Sequence, residues 1–322
     1  MGQKLNYQIL IGDVREKLLQ IEDNSIQSCI TSPPYWGLRD YGNAGQIGLE
    51  PTPHEYVASM VDIFKQVWRV LSTDGTLWLN LGDSYSSHKD CKSIGQTLAK
   101  GTKSESAHVI PKGLSVSRNT KMLKNAGFKN KDLIGIPWRV AFALQEAGWY
   151  LRQDIIWAKP NPMPESVKDR CTKSHEYLFM LTKSQKYYFN NQAIKEPAVT
   201  GLTHKTRPIG GKKHQSNGNS IYSGNQPASN GFRNKRDVWT INTTRFKGAH
   251  FAVMPEALVE PCILAGSRGN WIDTILDPFA GSGTVGVVAL KHQRKFIGIE
   301  INSDYANLAL NRIKGVPING WL

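Results

Sequence analysis

The sequence predicts a parallel α/β sheet interrupted by two basic inserts. Three observations carry this. Strand–helix–strand alternation opens the chain. The same alternation returns at its far end around a glycine loop. Between them lie two polar zones of nearly one sign of charge.

The elements follow in order. "YQILIGD" is an apolar run ending at Gly12-Asp13 and reads as a strand, and "VREKLLQI" as a helix. "SIQSCIT" is a second strand, left through Ser32-Pro33-Pro34 with Tyr35 and Trp36 directly after. "HEYVASMVDIFKQVWRVL" has apolar residues at helical spacing, and "GTLWLNLGDSY" follows as a strand. "PWRVAFALQEAG" reads as a helix, "WYLRQDIIWAKPNPMP" as a strand running into a proline turn, and "YLFMLTKSQKYYF" as a hairpin. "MPEALVEPCILAG" predicts a helix with Pro255 near its start and a kink at Pro261. "WIDTILDPFAGSGTVGVVALKH" is strand, glycine loop and helix; "KFIGIEI" is a strand and "DYANLALNRI" a last helix.

The two interruptions set the domain expectation. Residues 1–85, 132–196 and 237–322 are expected to form one α/β domain, 86–131 a basic insert loop, and 197–236 a second basic insert, to which the resemblance named below gives target recognition. Residues 86–131 carry ten Lys or Arg against Asp90 and Glu105 alone. Residues 197–236 contain Lys205, Arg207, Lys212, Lys213, Arg233, Lys235 and Arg236, with Tyr222 and Phe232 among them and no acid. A flexible linker rarely combines aromatics with one sign of charge, so nucleic-acid contact is expected there.

Bulk composition agrees. The chain of 322 residues has 40 Lys plus Arg against 26 Asp plus Glu, a net charge of +14, and a pI near 9.6. Such a charge draws phosphate backbones by long-range attraction. Cys29, Cys91, Cys171 and Cys262 are scattered without a Cys-x-x-Cys pair, which argues against zinc and a disulfide framework and fits a reducing cytoplasm. No metal is expected on that ground, and no apolar run approaches the ~18 residues that cross a bilayer, so no membrane role is expected.

"GSGTVG", Gly281 to Gly286, is a literal G-x-G-x-x-G after a strand, and Glu300 ends the next strand. Taken alone this is the dinucleotide fingerprint with its ribose-binding acid. The preceding "LDPFA" changes the reading. Asp277 would repel a pyrophosphate but welcome the ammonium of S-adenosylmethionine, and Phe279 offers a face to an adenine ring.

The Ser-Pro-Pro-Tyr exit from the second strand suits chemistry at a base amino group. That nitrogen is a poor nucleophile because its lone pair is delocalised into the ring. Acceptors for its hydrogens draw it towards tetrahedral geometry and aim the lone pair at a methyl donor. The Ser32 hydroxyl and the Pro33 carbonyl, held rigid by the prolines, can supply them. The base must first leave the duplex, and the Tyr35 ring can replace its lost stacking.

"TSPPYW" followed much later by "LDPFAGSGT" and "FIGIE" resembles the amino-methylating DNA methyltransferases of the beta arrangement, in which the catalytic motif precedes the cofactor motif. The resemblance covers nearly the whole chain outside the basic inserts. It implies an open, mostly parallel seven-stranded Rossmann-like sheet with its last strand antiparallel, S-adenosyl-L-methionine as cofactor and double-stranded DNA as partner. By motif position it implies Ser32, Pro33 and Tyr35 as catalytic. Asp13, Phe251, Asp277, Phe279, Gly281, Gly283, Thr284 and Glu300 would hold the cofactor, with Glu300 on its ribose and Asp13 near its adenine. Trp36, Lys159, Asn161, Arg233 and Arg236 would face the DNA. Asp83 either positions the active-site loop or makes a structural hydrogen bond.

Ser at position 32 resembles members that methylate cytosine N4, whereas members with Asp or Asn there mostly methylate adenine N6. The expectation is therefore a site-specific cytosine-N4 methyltransferase, with adenine N6 as the alternative. A non-catalytic DNA-binding module of the same fold is the more distant one. Cytosine-C5 chemistry would need a nucleophilic cysteine; Pro261-Cys262 is such a pair on paper but sits inside an apolar helical run. The target sequence, the oligomeric state and the existence of a cognate restriction endonuclease stay open at this stage.

Overall fold

The computed structural model describes residues 6–37, 45–86, 126–198, 231–244 and 253–317. Its strands are β1 (Tyr7–Ile11), β2 (Ile26–Thr31), β3 (Leu71–Leu81), β4 (Tyr150–Ala158), β5 (His175–Thr182), β6 (Glu196–Pro197), β7 (Phe232–Arg233), β8 (Val238–Thr240), β9 (Thr274–Asp277) and β10 (Lys295–Glu300). Its helices are α1 (Val14–Lys17), α2 (Pro53–Val70), α3 (Ile136–Glu146), α4 (Glu256–Gly266), α5 (Thr284–Lys291) and α6 (Ser303–Lys314). None is long and apolar enough to cross a membrane.

The sheet runs β1-β10-β9-β2-β3-β5-β4-β8. All neighbours are parallel except β5, which is antiparallel to both β3 and β4. The count is eight rather than seven, because three-residue β8 extends the edge beside β4. The antiparallel strand is also not the last along the chain. It is β5, wedged inside the sheet.

That position corrects the expected hairpin at "YLFMLTKSQKYYF". Both edges of β5 are occupied by β3 and β4, so the following residues have no strand to form beside it. They fold back over the sheet instead. The Tyr188 N–H donates to Asp74 O at 2.8 Å, and the Phe189 ring stacks on Trp78 at 6.4 Å.

Side-chain alternation explains the two layers. Cys29, Leu77, Leu79, Phe179 and Leu181 point to one face, against α2 and α3. Their neighbours Ile30, Trp78, Leu178 and Met180 point to the other, against α4 and α5. β2, at the centre, is buried at every position, as a parallel strand covered on both faces must be. Local signals set the helix starts. α2 opens with a capping box between Thr52 and Glu55 and Pro53 in its first turn. α4 runs on through Pro261 to Gly266.

One topological feature places the site. From β2 the chain passes through α2 to β3, on one side. From β9 it passes through α5 to β10, on the other. β2 and β9 are neighbours, so a crevice opens between their C-terminal ends, where open α/β sheets bind ligands.

Candidate active site

A cavity of about 360 Å³ fills that crevice, within the ~300–1,000 Å³ usual for small-molecule sites. Both ends of the chain line it: Asp13, Ser32, Pro33 and Tyr35 from one, Asp277, Phe279, Gly281, Thr284 and Glu300 from the other. Thr31 Oγ1 ties the two loops together, donating to Asp277 Oδ1 at 2.7 Å across 246 positions of sequence.

On the glycine-loop side, Asp277 is 2% exposed and also accepts the Phe279 N–H at 3.1 Å. Burial pushes its carboxyl up to about 7. Glu300, at the end of β10, accepts the Gly281 N–H at 2.8 Å and the Asn302 N–H at 2.9 Å, and burial raises its carboxyl too. Gly281 has φ +50°, a left-handed turn that glycine adopts without penalty. Asp13 caps α1, accepting the Arg15 N–H at 2.8 Å, and the Arg15 guanidinium holds its carboxyl below the usual range. A buried acid, a second acid at the next strand end and an open glycine backbone fit a ligand with an ammonium and ribose hydroxyls.

Gly283 belongs elsewhere. It does not line the cavity. It has φ +77°, and a Cβ there would sit 2.8 Å from Ala309 Cβ. The glycine lets α5 approach α6.

On the other side, Ser32 Oγ donates to the Tyr35 hydroxyl at 3.4 Å, and Tyr35 donates to Glu176 Oε2 at 2.7 Å. Asn80 Oδ1 lies 3.2 Å from the same hydroxyl, and Asn80 Nδ2 donates to Glu176 Oε2 at 3.2 Å. Lys159 pairs with Glu176 and lies 4.2 Å over the Trp157 ring. Burial and the Glu176 charge raise the Tyr35 phenol well above its ordinary value, so it keeps its proton.

Trp36 is corrected: it does not face the cavity. It is 6% exposed, packs in the core, and donates its Nε1–H to Glu50 O at 2.8 Å. Its neighbour Tyr35 packs against the same core but also lines the cavity. Asn161 stands outside the cavity lining but bonds to Thr243, which lines it. Arg233 and Arg236 lie at the base of the second insert, and both pair with Glu196. Phe251 lies outside the described residues, although Val253 and Met254 after it line the cavity. Asp83 accepts the Gly135 and Ile136 N–H groups at 3.0 and 3.2 Å, capping α3. Cys262 is buried, its thiol donates to Leu258 O, and burial pushes its pKa up, so it is no nucleophile.

Thr31, Asn80 and Glu176 escaped sequence reasoning. Asn80 interrupts the apolar run Leu77–Leu81 and Glu176 sits at the edge of the run Tyr177–Leu181, which is the signal that could have found them. Among the described residues no group of acids, histidines and cysteines could hold a metal ion.

A DNA methylase family model matches residues 26–311. The chain is 45% identical over 308 residues to the type II methyltransferase M.Cfr9I of Citrobacter freundii, covering 96% of this chain and 88% of that protein. It is 46% identical over 311 residues to the type II methyltransferase M.SmaI of Serratia marcescens, covering 95% and 90%. Among solved structures it resembles the PvuII DNA methyltransferase (cytosine-N4-specific), with a TM-score of 0.60 at 20% identity, covering 97% of this chain and 89% of that one. It also resembles a putative DNA modification methylase of Thermus thermophilus complexed with S-adenosyl-L-methionine, with a TM-score of 0.54 at 19% identity, covering 98% and 97%.

Proposed function

The chain belongs to the DNA methylase family of N4/N6 amino-methyltransferases, which use S-adenosyl-L-methionine, and from that premise we propose that it methylates cytosine N4 in duplex DNA. The observation that carries the proposal is that Ser32, Pro33 and Tyr35 open into the same cavity as Asp277, Phe279 and Glu300.

The cofactor supplies an electrophilic methyl group. The chain's residues do the rest. Asp277 would receive the ammonium, Glu300 the ribose hydroxyls and the Phe279 face the adenine, with Asp13 beside it; Gly281 and Thr284 border the same space. Ser32 Oγ and the Pro33 carbonyl accept the hydrogens of the flipped base's amino group. The Tyr35 ring stacks on that base, and Lys159 and Asn161 border it. Ser32 supports cytosine over adenine because it is the residue carried by N4-methylating members of the family. Residues 197–236 would recognise the target and 86–131 grip phosphates. Relatives of the type II class point to a restriction endonuclease partnered in function.

The test is methyl transfer from labelled S-adenosylmethionine to unmethylated plasmid DNA, followed by nucleoside analysis. N4-methylcytosine is the expected product. N6-methyladenine would overturn the choice of base and leave the class intact.

A further inference from the structure

We propose that Tyr35 and Glu176 form a proton relay that drains the target amino group through Ser32. The proposal rests on the amino-transfer reading above and extends it to two hydrogen bonds of fixed direction.

A phenol has one proton to give. The Tyr35 hydroxyl has Glu176 Oε2 at 2.7 Å and Asn80 Oδ1 at 3.2 Å. The shorter, charge-assisted contact takes the proton. The phenol oxygen is then left as an acceptor, and the Ser32 hydroxyl points its own proton at it, at 3.4 Å. With that proton committed, Ser32, which lines the cavity, has only lone pairs left to offer a base amino group. The arrangement makes a hydroxyl, which can donate or accept, behave as an acceptor towards a base amino group.

The same chain has a second consequence. As the methyl bond forms, the amino nitrogen gains positive charge, and it stays neutral when an N–H bond breaks in the same step with its electron pair staying on nitrogen. That proton passes to Ser32 Oγ, the Ser32 proton to the Tyr35 oxygen, and the Tyr35 proton to Glu176 Oε2. One N–H bond is lost and one carboxyl O–H bond is made, with no oxidant or further reactant. Glu176 is the place for the charge to end. Lys159 on its other oxygen and Asn80 Nδ2 at 3.2 Å keep it a carboxylate, able to accept, before each turnover, and its side chain, 16% exposed, can return the proton to solvent afterwards. Glu176 acts through Tyr35 and Ser32, so it is a positioning residue and proton sink. The antiparallel direction of β5 is what brings it there. Glu176 lies at the start of its strand, and that end meets the C-terminal ends of β3 and β4, opposite Trp157.

The test is single-turnover methylation of unmethylated plasmid DNA by the full chain in excess, across mixtures of H2O and D2O, with S-adenosylmethionine titrations alongside. Tyr35→Phe removes the hydroxyl and keeps the ring, and Glu176→Gln removes the proton sink and keeps the shape. Each is expected to slow the transfer ~100-fold, the scale of one general acid–base contribution, with cofactor affinity essentially unchanged. Glu176→Asp should recover part of the rate. The wild-type rate should bow against deuterium fraction, reporting several protons in flight, and both relay variants should give straight lines. Variants within threefold of wild type overturn the relay, and so does a loss of rate with the deuterium dependence unchanged, which marks a purely structural role. A wild-type chain that labels a ring carbon or nothing overturns the amino-transfer reading itself.

Discussion

The loop after β9 and the loop after β2 leave neighbouring strands into one cavity, yet they are held by different means. The glycine loop is fastened mostly at its own backbone groups, which meet carboxylates, a carbonyl and the Arg312 guanidinium. Asp277 accepts the Phe279 N–H, the Gly283 N–H donates to Ala280 O at 2.8 Å, and the Gly281 N–H reaches the next strand end at Glu300. The Ser-Pro-Pro-Tyr loop is fastened by side chains from remote positions. The Tyr56 hydroxyl donates to Pro34 O at 3.0 Å, Trp36 reaches Glu50, and Tyr35 reaches Asn80 and Glu176. Backbone fastening gives a loop whose shape follows from its own sequence. Side-chain fastening gives one whose chemistry depends on which distant residues the fold brings up. Substitutions should therefore separate binding from turnover.

The largest effect is expected at Tyr35. Tyr35→Ala removes both stacking face and hydroxyl, each of which contributes on the order of tenfold to several hundredfold. A fall of about a thousandfold in single-turnover rate, with S-adenosylmethionine affinity kept, is the outcome that sustains the contrast. A wild-type rate on duplex DNA would break it.

Asp277→Ala should do the reverse, weakening cofactor binding by about tenfold to a hundredfold, the scale of a lost hydrogen bond to a charged group, as read by calorimetry. Its pH dependence sharpens the point. The folded carboxyl titrates at about 7, raised from 3.8. Protonation therefore favours the folded, ligand-free chain below the unfolded value, and that contribution fades as pH rises through about 7. A cofactor ammonium prefers the charged carboxylate, so wild-type affinity should improve as pH rises through 7. The Asp277→Ala affinity should stay flat across that range.

Two glycines of one loop should also part company. Gly283→Ala sets a left-handed alanine against Ala309 and should cost about 3 kcal/mol of stability in urea melts. At Gly281 the nearest atom to an added Cβ is 3.9 Å away, so Gly281→Ala should cost about 1 kcal/mol. Equal losses would show that the loop is not the locally determined unit described here.

Outside both loops, substitutions should act on DNA recognition rather than on cofactor binding or stability. Replacing Arg233 and Arg236 by Ala should lower discrimination between target and non-target DNA by ~1–3 kcal/mol per lost guanine contact. In the structure both arginines pair with Glu196, so reading a base requires exchanging that carboxylate. Replacing Lys121, Lys124 and Lys129 by Ala should instead weaken all duplexes alike and flatten the salt slope. Specificity ratios at fixed salt decide between them, and the opposite pattern would reverse the assignment of the two inserts.

The sequence by itself determined the strand–helix alternation, the capping box of α2 and the left-handed turn at Gly281. All of these follow from periodicity and from backbone preferences of neighbouring residues. Tertiary structure alone decided that β2 and β9 stand side by side and that β5 is wedged between β3 and β4 rather than turning a hairpin. It also decided that Trp36 goes inward while Tyr35 faces the cavity, and that Gly283 serves helix packing. The bond from Tyr35 to Glu176 spans 141 positions. Short-range patterns cannot encode such a pairing, because strand order and side-chain partners are settled by which arrangement buries both faces of the sheet at once.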